Sequence, residues 1–430
     1  MNNRIRGLWF FTSLMILLFL LIFSIAAAAG PASPAAEFHA LPMPYVGPEV
    51  HLDESIVMPL YDPSVAYDSH NAEYMIVSVV NSVIDATVIG ESGDAHWHFR
   101  VSQDNQTANN SPDVAYDPVH DRYLVVWSHD VQGNGVNWDI RGRFVDRMGP
   151  ISNIGVLNIA SSTTTEIDPR VVYATGQNTF LVTWRNYVPL RYVDISGRRV
   201  WIDGSGFPNS SGSDFTIQHG SENIFDYDVA YNPSRIEYLV AYDDNENVFG
   251  RLLSNNAQTV GGELVIAAWP GPENHTVVAS CPGQDQYVVA WQGHNADYGI
   301  YARFVGGDGS INTVKPIADN VGDDLHPDIA CDLSGQRYLI AWEEPYLVQG
   351  AGVVSGIGGR IIQPNVQTSP EFIIKQVTDK NERANPALAG GATTWLTAWE
   401  HEVPATLPSF YQIHIKRVSP YAQFQPVVTK

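Results

Sequence analysis

The residues with the most chemical potential are acids and histidines that follow short aromatic-rich runs. After Tyr123-Leu124-Val125-Val126-Trp127 come His129 and Asp130. After Tyr238 to Tyr242 come Asp243 and Asp244; after Trp291 comes His294. Glu343 and Glu344 follow Trp342, and Glu400 follows Trp399. Gathered on one face with Asp168, Asp226, Asp323, Asp324 and His326 from the segments that lead into the next copy, these groups would form an acidic funnel suited to a cation, a basic peptide or the hydroxyls of a glycan. Two opposed carboxylates there would also suit glycosidic hydrolysis, one as acid and one as base or nucleophile. The same acids are what strand ends meeting solvent carry. No copy of the run departs from the others with a nucleophile, base and orienting group, so a non-catalytic site is expected. Trp138, Trp201 and Trp269 fall outside the runs and are the aromatic candidates for stacking on a sugar.

Other chemistry is thin. His96 and His98 share a strand face, but hold a metal only with outside ligands. No cofactor or metal is expected, and no Asp-x-Asp-x-Asp-Gly loop supports a structural or ligand-bridging Ca2+.

The elements that must position these residues are legible because the chain repeats. One strand recurs seven times, at residues 63–68, 112–117, 169–174, 227–232, 276–281, 327–332 and 386–391. Its third residue is Val65, Val114, Val171, Val229, Val278, Ile329 or Leu388, called the anchor below. A second strand opens on an aromatic nine residues after the anchor in six copies and seven after it in the last, which predicts a shorter final hairpin. The hairpin tips carry turn residues such as Asp117-Pro118, Asn232-Pro233 and Ser334-Gly335. A third strand carries Arg143, Arg191, Arg251, Arg303, Arg360 or Arg417, and none in the first copy. A fourth, apolar strand leads to the next copy. Strands that are apolar on both faces belong between stacked sheets, as in propeller blades. The predicted fold is an all-β, seven-bladed propeller of four-stranded antiparallel blades. Only six fourth strands lie between copies. Pro48 to Leu52 is therefore predicted to supply the seventh and close the ring, with Gln425 to Thr429 as the alternative.

These units resemble exported bacterial repeat propellers built on V-A-Y-D/N, Y-L-V-x-W and G-R segments, over residues 48–420. The resemblance implies the ring and carries no activity with it.

Arg4 and Arg6 precede an apolar run from Leu8 to Ile25 and then small residues to Gly30. Residues 1–29 read as a signal peptide, or as an uncleaved anchor, and residues 30–47 as a Pro/Ala-rich linker before a propeller over 48–430. The product is expected to be secreted, periplasmic or on the cell surface. The 430 residues carry 46 acidic and 24 basic side chains, a formal charge of -22. That field repels nucleic acid and anionic membrane surfaces. A monomer with a glycan or protein ligand is expected, meeting membrane only through an uncleaved anchor. An exported compartment permits a disulfide. Cys281 and Cys331 sit one position apart in neighbouring copies, so one can face forward and the other back across one blade boundary, which predicts that the two lie close and leaves a disulfide open between them.

Overall fold

A computed structural model describes residues 41–420, apart from residues 53–59, 104–107, 188–192, 204–207, 211–213, 221–223, 295–296, 319–321, 349–351, 365–366, 377–381 and 404–409. Residues 1–29, read from the sequence as a signal peptide or anchor, residues 30–40 of the expected linker, and Gln425 to Thr429 lie outside the described residues.

Seven antiparallel sheets form the blades of a propeller. Their innermost strands are Leu60–Asp68, Asn109–Asp117, Thr165–Ala174, Asp226–Asn232, Glu273–Ser280, Leu325–Cys331 and Glu382–Gly390. Each anchor pairs with the third residue of the second strand, as in Val114 with Val125 and Ile329 with Ile340. The hairpin tips form because the residue closing the inner strand caps its own turn. Asp68 accepts the His70 and Asn71 amides, Asp117 those of Val119 and His120, and Asn232 that of Ser234. The last hairpin is two residues shorter. It carries Gly390 at the close, where a Cβ would collide with the carbonyl of Cys331 in blade 6.

The core is divided into seven apolar clusters, each shared by two neighbouring blades. Trp127, Trp184, Trp291, Trp342 and Trp399 are all buried within them. One cluster joins blade 7 to blade 1 through Leu52, Val65, Ile76, Ala389, Leu396 and Ile413, so the ring is closed by packing as well as by strand pairing. The seventh outer strand comes from the N-terminal side, as its absence between copies predicts. Val50, His51 and Leu52 pair with Ile415, His414 and Ile413, and Tyr45–Val46 extends the same edge.

The third-strand cation has a packing role, and its register corrects the sequence reading. Arg143 donates to the Val101 carbonyl at 2.8 Å and Arg303 to the Ile266 carbonyl, each on the outer side of the preceding blade. Lys416, not Arg417, occupies this position in blade 7: it pairs with Thr397 and donates to the Ile374 carbonyl at 2.9 Å. In blade 3 it is Arg198, paired with Val182, while Arg191 lies outside the described residues. Counting across loops of variable length misplaced both.

Cys281 and Cys331 are joined by a disulfide, with Cα atoms 5.3 Å apart. It pins blade 5 to blade 6 beside a cluster the two blades already share. Because that packing persists on reduction, loss of the bond is expected to cost about 2 kcal/mol, the lower end of the usual range. Urea midpoints of the chain with and without reductant, against a Cys281→Ser/Cys331→Ser double variant, measure this. Equal midpoints would remove the bond from the stability account.

Candidate functional site

The inner strands enclose a central cavity of about 550 Å³. Every blade lines it with the residue immediately before the anchor and the one three before, and adds the residue between or the anchor itself. The first tier is Ser64, Asp113, Arg170, Asp228, Val277, Asp328 and Ala387; the second, nearer the strand starts, is Asp62, Ser111, Asp168, Asp226, His275, His326 and Asn385. With Glu400, the wall holds seven carboxylates and two histidines against one guanidinium, that of Arg170.

The second tier reaches the cavity because the backbone bulges there. The pairing of inner and second strands slips by a residue between Tyr61 and Ser64, Asn110 and Asp113, Ile167 and Arg170, Asn274 and Val277, and Leu325 and Asp328. Asp62, Ser111, Asp168, His275 and His326 accordingly take φ between 48° and 52°. Asp and His are among the few side chains that tolerate this region. Blade 4 keeps regular pairing, with Asp226 opposite Asp243.

A bulge leaves an amide without its ladder partner. The residue after the second-strand aromatic reaches sideways to satisfy it in the next blade. Glu400 accepts the Asp62 amide at 2.8 Å, Ser128 the Asp168 amide at 3.0 Å, and Gln292 the His326 amide at 3.2 Å. Asp243 accepts the Thr276 amide at 3.3 Å. Where the residue is Arg185, it instead donates to the Phe225 carbonyl and grips Asp168 with two nitrogens.

The first tier is built the same way. Asp113, Asp228 and Asp328 each span a blade boundary, accepting the anchor amides of Val171 (2.7 Å), Val278 (2.9 Å) and Leu388 (2.6 Å). Asp113 also accepts the Ser64 hydroxyl at 2.7 Å. These bonds hold even-numbered blades to their odd-numbered successors around the cavity.

Burial pushes the Asp328 carboxyl up to about 7, with the charge of Asp228 adding to it, and burial pushes Asp228 to about 6 against the pull of Arg170. Burial also opposes ionisation of Asp226, but the His275 hydrogen bond and the Arg170 charge outweigh it and hold that carboxyl below its ordinary value. Arg170 stays charged: burial works against it, and Asp226 and Asp113 more than compensate. Its guanidinium is 4.0 Å from Asp226 and packs over the Tyr227 ring.

Of the acids and histidines named from the sequence, Asp168, Asp226, His326 and Glu400 line this cavity, and the others lie away from it. Asp130 is buried and caps its own loop through the Gln132, Gly133 and Gly135 amides. Asp243 is buried behind the wall. Asp244 caps the Glu246 and Asn247 amides. Glu343 bonds the cavity histidine His326 at 3.0 Å, while its neighbour Glu344 lies one residue further along the same strand, away from the cavity lining. His294 packs edge-on to Tyr298. Trp138 pairs opposite Asp130 in blade 2, Trp201 lies on the third strand of blade 3, and Trp269 packs edge-on to Tyr301. These three aromatics sit on separate blades and share no surface pocket among the described residues. Both His96 nitrogens are spent on Glu73 and Asp94, at 2.6 and 2.7 Å.

No protein-family model matches the chain, and no curated protein matches it in sequence. Solved structures match it in shape. The β-propeller domain of Cps50 (Swd1) from Myceliophteria thermophila aligns with a TM-score of 0.51 at 8% identity, covering 86% of this chain and 99% of that one. A puromycin-hydrolyzing peptidase from Mycobacterium tuberculosis aligns with a TM-score of 0.50 at 11% identity over 85% of this chain. This chain spans 52% of the peptidase's length. An endo-arabinase from Bacteroides thetaiotaomicron aligns with a TM-score of 0.38 at 14% identity, covering 76% and 96% of the two chains. At these identities the likeness is one of fold, and the fold is a propeller.

Proposed function

We propose that this chain is an exported, non-catalytic binding propeller that takes a polar ligand, a glycan or a protein segment, at the mouth of its central cavity. One observation carries the reading. The cavity wall is strongly acidic, yet Asp113, Asp228, Asp328 and Glu400 are each committed to backbone amides that hold neighbouring blades together. A carboxylate serving as a strut keeps its field but is poorly placed to shuttle protons. Such a wall favours cationic groups and hydroxyl donors over anions. The test is a glycan array and a panel of basic peptides, with product release from every bound glycan followed in parallel. Saturable binding without turnover is the expected result, weakened at least tenfold by Asp62→Asn/Asp226→Asn. Turnover of a bound glycan would overturn it.

A second reading, a polysaccharide-active hydrolase or lyase, is favoured by one feature. The cavity holds carboxyls pushed apart in acidity, Asp226 low and Asp328 near 7, as an acid and its partner base require. Loss of product release in Asp328→Asn, with binding retained, would establish it.

A further inference from the structure

Two clusters of histidines stand outside any role given above. The first lies where the ring closes, with Glu49, His51 and His414 within ligand distance of one another. It is a poor metal centre. The His51 and His414 rings are stacked at 4.0 Å and 9°, so their in-plane lone pairs run parallel and do not meet. Lys375 also bonds both Glu49 oxygens at 2.7 Å, setting an ammonium where a cation would go.

The second is the pair His275 and His326, at equivalent bulge positions of blades 5 and 6. Their backbone φ values are 52° and 48°, so both side chains leave the strand in the same way. Each ring has a carboxylate at Nδ1: Glu343 bonds His326 at 3.0 Å, and Asp226 lies at ion-pair distance, 3.4 Å, from His275. A carboxylate on Nδ1 places the proton there and leaves Nε2 as a lone-pair donor, the arrangement that orients metal-binding histidines. Neither Nε2 has a protein partner among the described residues, and both rings line the cavity. The two rings meet edge to face at a separation that one shared ion would also require. An imidazole bound at about 2.1 Å puts its centre roughly 3.2 Å from the metal, so two at right angles lie about 4.5 Å apart. The centres of His275 and His326 are 4.5 Å apart, with planes at 73°.

We propose that His275 and His326 hold, through Nε2, a divalent transition ion of the nickel, copper or zinc class at the mouth of the central cavity. Imidazole donors select that class over calcium or magnesium. Asp226 and Glu343 act as positioning residues that fix the two rings. Two protein ligands leave the other coordination positions facing the cavity, open to hydroxyl or carboxylate oxygens of a ligand. The surrounding carboxylates favour the incoming charge. The site stands independently of the binding reading, because metal uptake is measured without any glycan or peptide.

The experiment is calorimetric titration of the full chain with Ni2+ at pH 7.5. One saturable site is expected. His275→Asn and His326→Asn should each weaken it at least tenfold, and asparagine suits the positive φ of both positions. Glu343→Gln, which leaves both ligands in place, should weaken it about tenfold. His51→Asn at the ring closure should leave it unchanged. Protection of His275 and His326 from diethylpyrocarbonate by Ni2+, read by mass spectrometry on the unaltered chain, makes the result independent of how the variants fold. Absence of saturable uptake, uptake lost in His51→Asn instead, or no protection at either cavity histidine would overturn the proposal.

Discussion

Arg170→Met is expected to destabilise the propeller by about 3 kcal/mol at pH 8 and by about half of that at pH 4.5. Methionine keeps much of the stem that packs by Tyr227, so the loss isolates the charge. Arg170 is the guanidinium that faces Asp113, Asp226 and Asp228 across the cavity. Asp228 and Asp328 already have folded-state values of about 6 and 7, above their ordinary 3.8. The folded chain therefore binds more protons than the unfolded one between about pH 4 and pH 7, and stability falls as pH rises through that window. Removing Arg170 raises these carboxyls further, so the fall is steeper and continues to higher pH. Asp226 adds a part that is nearly constant over this range: its depressed value contributes stability that is present above 3.8 and is lost only as pH falls through the lower folded value, so the variant lacks it at pH 4.5 and at pH 8 alike. The shrinkage of the deficit on acidification therefore comes from the raised carboxyls. Urea midpoints at pH 4.5, 6 and 8 measure it. A deficit that stays constant with pH would show that Arg170 does not act through the raised carboxyls.

Of these charges Asp226 was legible as a funnel group, with Asp168 and His326 beside it, whereas Asp113, Arg170, Asp228 and Asp328 were not, although they sit beside the most readable feature of the sequence. The anchor aligns in seven copies because every blade must fill the same inter-blade space. The residues one and three before it vary, as Asp113, Arg170, Val277 and Ala387 do, because they line the cavity, and where they also reach the next blade they bond its backbone amides. Variable positions read as noise along a chain and as a surface around a ring. The acids after the second-strand aromatics read as funnel charges for the opposite reason. Their position recurs, and Asp243 and Glu400 are acidic, but Ser128 and Gln292 do the same job without charge. The shared need is an acceptor for a bulge amide, and bulges leave little trace in composition. Hairpin tips, ring closure and the short last hairpin were legible because each follows from a count of residues. The third-strand cations at Arg198 and Lys416 were misplaced because register past a variable loop does not.

The ring closure should carry the largest single effect on stability. A chain beginning after Leu52 loses both N-terminal strands of blade 7 and leaves Phe410–Ser419 as an open edge. It also loses buried Leu52, the half-buried Val50, and the ladder bonds that the two strands make with residues 413–419. Glu49 goes as well. Its carboxyl is held at about 2, since burial opposes ionisation but the bonds from His414 and Lys375 outweigh it. Apolar burial of that size is worth about 2–3 kcal/mol, and several backbone hydrogen bonds add about 1 kcal/mol each. The expected loss is about 5 kcal/mol or more, with self-association through the exposed edge. Glu49→Ala should cost less, because the strand still pairs. The Glu49 contribution is fully present above its ordinary value of 4.5 and is lost only as pH falls toward 2, so Glu49→Ala and the parent should converge near pH 2. A synthetic peptide spanning Leu41 to Leu52, added to the shortened chain, should restore its thermal midpoint in a concentration-dependent way. A shortened chain as stable and monomeric as the full one would mean that the inter-blade packing of blades 7 and 1 closes the ring by itself. The N-terminal strands would then be a cover on a propeller already complete.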